Sequence, residues 1–143
     1  MKKQDAKTYL RQIRSEWREI RILENKIKEK RFELMPSGIR YDKDKVQTSP
    51  ADTLSQDVTE LVEYENKLKS LLTRLYNRQS NAADAISKIP SSEQRQVLEV
   101  YYLSENNPTW DDVAEELSLS RRSVTNHHGE ALLWLNDNIV FKI

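Results

Sequence analysis

The sequence predicts an all-α chain: a long antiparallel helical hairpin, or coiled coil, over residues 1–89, followed by a small C-terminal helix-turn-helix domain over residues 90–143. Three observations carry that expectation. Only two glycines and four prolines punctuate 143 residues, of which 32% are charged, a balance suited to long solvent-washed helices. Apolar residues recur at steps of three and four through the long N-terminal runs. After Pro90 the periodic runs become short, and capping residues precede them.

The first helix is expected from Ala6 to about Leu34. Leu10, Ile13, Trp17, Ile20, Leu23 and Ile27 fall on one stripe, and neither proline nor glycine interrupts them. Residues 35–50, MPSGIRYDKDKVQTSP, then supply breaker and turn chemistry through Pro36, Ser37, Gly38 and Ser49-Pro50. A loop of this length is unusual in a compact domain and reads as a functional surface or a link.

Ser49 is placed to cap a second helix, with Pro50 at its first position and Asp52 beside the free amides. Leu54, Val58, Leu61, Leu68, Leu72, Leu75, Ala82, Ile86 and Ile89 keep one a/d frame, with Glu65 and Gln79 as polar exceptions. Folding the first helix back on the second buries both stripes as an αα-hairpin. A parallel homodimer would bury them as well, and dimerisation through the outer face of a hairpin is a further option.

Pro90 ends the second helix, and Ser91 with Gln94 offers a capping box for a third, expected over about 92–103. SENNPT breaks it. Thr109 and Asp112 form another capping-box pair that opens WDDVAEEL, whose Val113, Ala114 and Leu117 should face inward. Ser118-Leu119-Ser120 is the expected turn, and the last helix should run from Arg121 to about Leu135, burying Val124, Ala131, Leu132 and Leu135. The terminal strip NDNIVFKI leaves that helix and needs a surface to pack on.

Two short helices joined by a three-residue turn, with small Ala114 in the first and Val124 in the second, have the close crossing that a helix-turn-helix requires. The second helix would then present Arg121, Arg122, Ser123, Thr125 and Asn126 outward, with His128 beside them. Such donors meet phosphate oxygens and base edges: arginine can address guanine with two bonds, and asparagine adenine. The partner these residues imply is double-stranded DNA. The helix N-terminus, with Ser120 and Ser123, adds attraction for a phosphate.

The segment IPSSEQRQVLEVYYLSENNPTWDDVAEELSLSRRSVTNHHGEALLWL resembles region 4 of bacterial sigma factors, and Leu119 to His127 is also similar to the LuxR-type helix-turn-helix. With the loop and the coiled N-terminal half, the whole layout resembles small sigma-like transcriptional regulators of phages and prophages of Gram-positive bacteria, the ArpU/RinA type. The resemblance implies that Arg121, Arg122, Thr125 and Asn126 read the major groove. It also implies a contact with host RNA polymerase. The chain departs from the sigma pattern at His127 and His128, where that family usually has an apolar and a charged residue.

Charge complicates this expectation. The 23 basic and 23 acidic side chains cancel, so the whole-molecule field favours no anionic partner. From Ser91 onward four basic residues (Arg95, Arg121, Arg122, Lys142) stand against nine acidic ones. The first fifty residues carry fourteen basic against eight acidic, so phosphate attraction would have to come from the first helix or the loop. The acidic C-terminal balance supports a rival in which the sigma-like unit docks on RNA polymerase without touching DNA. A third option is the small DNA-recognition subunit of a phage packaging terminase.

No catalytic, cofactor or metal site is expected. The chain lacks cysteine, and adjacent His127 and His128 point about 100° apart on a helix without an acid four residues before either. The carboxylates of DDVAEEL suit a helix N-terminus better than a catalytic pair. No run approaches the roughly 18 apolar residues of a membrane span, and the reading is cytoplasmic.

Overall fold

The computed structural model describes residues 3–35 and 50–142, the side chains of Lys3 and of residues 50–53 excepted. These residues are mostly helical. The elements run β1 (Lys3–Gln4), α1 (Ala6–Glu33), α2 (Pro50–Ser87), α3 (Ser92–Tyr102), α4 (Trp110–Leu117), α5 (Arg121–Asn138) and β2 (Phe141–Lys142). The loop expected over 35–50 and the cap at Ser49 lie outside the described residues, apart from Met35 and the first residue of α2. The chain divides into two compact units, Met1–Trp17 with Arg74–Ile143, and Arg18–Thr73.

In the first unit, Tyr9, Leu10, Ile13 and Trp17 of α1 are buried, as are Leu75, Ala82, Ala85 and Ile86 of α2. Arg78 holds the two helices together from α2. Its Nε lies 2.7 Å from Glu16 Oε1, and its guanidinium also donates to Gln12 Oε1 at 2.6 Å. The terminal strip finds its surface here. β2 pairs antiparallel with β1, Gln4 opposite Phe141, and the Phe141 ring stacks on Tyr9 at 4.5 Å. Two residues are too few for an alternating pattern to announce a strand.

The same unit contains α3, α4 and α5 around Val97, Val113 and Val124, all fully buried, with Tyr101, Trp110, Ala114, Leu117 and Leu119 packed against them. The caps explain why three short helices stop and start where they do. Thr109 Oγ1 accepts from the Asp112 amide while the Asp112 carboxylate accepts from the Thr109 amide, a complete capping box. Those bonds hold the Asp112 carboxyl below its usual range, the backbone bond from Thr109 first. Ser91 caps α3, but Gln94 does not reach back; its amide donates to Glu130 on α5 at 2.9 Å instead.

In the second unit, Ile20, Leu23 and Ile27 of α1 are buried, but the expected seam of α2 is not covered along its length. Leu71 is buried, Leu61 and Leu68 are half-buried, and Leu54 and Val58 are exposed at 53% and 44%. The buried stripe of α1 ends at Ile27; beyond it Phe32 is exposed, and the contacts to α2 are made by charged side chains. Lys30 meets Glu60 at 2.7 Å and Asp57 at 3.1 Å, and Arg31 meets Glu65 at 3.1 Å. A heptad register places residues on a face, but only an apolar partner opposite buries them.

Candidate nucleic-acid interface

The chain leaves α4 through Ser118, whose φ of 55° is left-handed, and this reverses its direction within three residues. Ser120 then caps α5, its Oγ accepting from the Ser123 amide at 3.0 Å. Val124, Ala131 and Leu135 face the core and are fully buried, which fixes the rotation of α5 about its own axis. The opposite face carries Arg122 and Asn126, one turn apart and exposed, followed by Gly129. Among the described residues neither the Arg122 guanidinium nor the Asn126 amide has an ion-pair or hydrogen-bond partner. A Cβ at Gly129 would meet nothing within 4 Å, so this face is open.

The remaining candidates flank that face. Arg121 is exposed but engaged, its guanidinium 2.7 Å from the Asp111 carboxylate. Thr125 is exposed and donates its hydroxyl to the Arg121 carbonyl at 3.0 Å, leaving its oxygen free to accept. Ser123 is half-buried.

His128 is not an outward donor. It follows Val124 by four residues and precedes Ala131 by three, so the helical period turns it toward the buried stripe. Its Nε2 lies 2.7 Å from Tyr102 Oη, and its ring meets Trp110 edge-on at 4.5 Å. Burial lowers its pKa to about 4, with the charge of Lys7 a second cause. Neutral imidazole suits such a setting. That spacing from Val124 was the available signal. His127 projects to the other side, 2.8 Å from Glu93.

Comparison with protein-family models, curated proteins and solved structures finds no match.

An open cleft of about 420 Å³ lies beside α5. Its floor is aromatic: Tyr101 and Trp110 stack at 3.6 Å, with Tyr102 and His128 adjoining. Arg121 and Thr125 of α5 line it, as do Lys7 and Arg11 of α1. A second open pocket of similar volume lies by the terminal strands, among Tyr9, Asp84, Lys88 and Phe141. Among the described residues no three His, Asp or Glu side chains gather as a metal-holding group, and no helix is long and apolar enough to cross a membrane.

Proposed function

We propose that this chain is a sequence-specific double-stranded-DNA-binding transcriptional regulator of the phage type, without enzymatic activity, and that it activates by contacting host RNA polymerase. In this reading α4 and α5 are the two helices of a helix-turn-helix, and α5 enters a major groove. The sigma-like resemblance supports the polymerase contact. α1 and α2 are the arms of a hairpin, which within each unit is supported by side chains of one reaching the other.

One observation carries the reading: Arg122 and Asn126 stand exposed and unpartnered among the described residues, on the first turns of a helix whose opposite face is locked by Val124, Ala131 and Leu135. Unpartnered donors on a fixed helix meet base edges without first giving up another bond, and their backbone needs no ordering. Gly129 keeps the next turn of that face free of a side chain. Selection of bound fragments from a random duplex pool tests the proposal; enrichment of a motif supports it, and an unenriched pool argues against it.

The excess of nine acidic over four basic residues from Ser91 onward favours a second reading, in which the same unit docks on polymerase alone. The two part on salt. Duplex binding weakens steeply as salt rises, whereas a protein interface of mixed character does not.

A further inference from the structure

We infer that α1 supplies the phosphate-binding arm of the interface, with Lys7 and Arg11 facing Arg121 and Thr125 across the aromatic cleft so that a duplex backbone lies along their rims. This rests on the DNA-binding reading above and adds to it a second, non-adjacent element. The need for such an arm follows from charge. Of the four basic residues after Ser91, Arg95 is spent on the carbonyls of Ile89 and Pro90, and Arg121 is held by Asp111, so α5 alone has little to offset nine carboxylates.

Lys7 and Arg11 meet that need because they are one turn apart, exposed, and without an ion pair or hydrogen bond to their charged ends among the described residues. Arg78 and Arg95 of the same unit are committed elsewhere, to Glu16 and to backbone carbonyls. The cleft that Lys7 and Arg11 line is shared with Arg121 and Thr125, which flank the open face of α5. Lys7 stands close enough to the cleft floor for its charge to add to burial in lowering the His128 pKa.

The arm is also held in place. The Arg14 guanidinium donates to the Tyr101 carbonyl at 2.6 Å and lies 3.8 Å above the Tyr101 ring. Asn107 donates to the Arg14 carbonyl at 3.0 Å, and at the start of α1 the Ala6 amide donates to Asn136 Oδ1 of α5 at 2.8 Å. Asn136 returns a bond to Asp5 at 3.1 Å. Lys7 and Arg11 therefore sit between two anchor points, and their backbone needs no ordering when a phosphate arrives. Phosphate contacts set register and affinity but carry no base information.

The test uses the full-length protein, a duplex bearing its selected site and a random-sequence duplex of the same length, titrated by fluorescence anisotropy from 50 to 200 mM salt. The double variant Lys7→Gln with Arg11→Gln should flatten the slope of log K against log salt by about 1.8, the value for two lost phosphate contacts, so that binding falls about twelvefold less over that range. Both duplexes should weaken alike, leaving their affinity ratio unchanged. The charge-keeping pair Lys7→Arg with Arg11→Lys should keep the wild-type slope. An unchanged slope in the glutamine variant, with its helical circular dichroism intact, overturns the arm while leaving α5 as reader. A changed affinity ratio overturns it too, because a phosphate contact cannot alter preference. Failure of the wild-type protein to bind either duplex removes both the arm and the reading on which it rests.

Discussion

Tyr102 Oη and His128 Nε2 lie 2.7 Å apart, and the two rings stack at 5.7 Å. Burial pushes the phenol above its ordinary pKa, so it stays protonated and serves as donor. The imidazole must then accept at Nε2 and carry its own proton on Nδ1, which is the neutral form. An imidazolium would lose the acceptor and place a charge beside the Trp110 edge and near Lys7.

This relationship sets a pH dependence whose sign is fixed. In the unfolded chain the imidazole titrates near 6.5, and in the fold near 4. Between those values the unfolded state binds more protons, so stability rises with pH there. The contribution is complete above about 6.5 and is lost as pH falls toward 4. Urea unfolding at a series of pH values should show this decline, and His128→Gln should be flatter over the same window. Equal declines in both proteins would refute the assignment.

Asp111 occupies Arg121 at 2.7 Å in the same place where the proposed interface needs a free cation. The pair is exposed, so it contributes little to stability, about 0–1 kcal/mol. Asp111→Asn should leave the melting temperature nearly unchanged and tighten duplex binding by up to about fivefold, the equivalent of that energy. Anisotropy with the folded variant checks this; weaker binding would mean that Asp111 positions Arg121 rather than competing for it.

Arg78 is the partner of a carboxylate that solvent hardly reaches, since Glu16 is only 8% exposed. Removing the guanidinium strands that charge. Arg78→Ala should destabilise the fold by about 3–5 kcal/mol, and Arg78→Met combined with Glu16→Leu should recover much of the loss. Denaturant midpoints of the two variants measure it; an Arg78→Ala cost below about 1 kcal/mol would place the stability of this pairing in its apolar contacts alone.

Local signals were legible in the sequence, and contacts distant along the chain were not. The stripe from Leu10 to Ile27 is built from steps of three or four residues, and the Thr109–Asp112 box and the Ser118–Ser120 turn each lie within one helical turn, so residue type and spacing suffice to place them. Leu54 and Val58 share the heptad frame of Leu75, yet their exposure depends on what α1 offers opposite them. The orientation of His128 could have been inferred from Val124, but its aromatic partners come from α3 and α4. The approach of Lys7 and Arg11 to α5 spans more than a hundred residues, beyond any local pattern. The basic excess of the N-terminal fifty residues hinted at it without saying which side chains were involved.

The central claim is that the outward face of α5 reads bases, and the most direct measurement is the affinity of Asn126→Ala and Arg122→Ala for the selected duplex and its single-base variants. Each substitution should cost about 1–3 kcal/mol on the selected site and abolish discrimination at one base pair while leaving the others intact. Variants that fold normally and keep both the affinity and the full pattern of base preference would contradict the account.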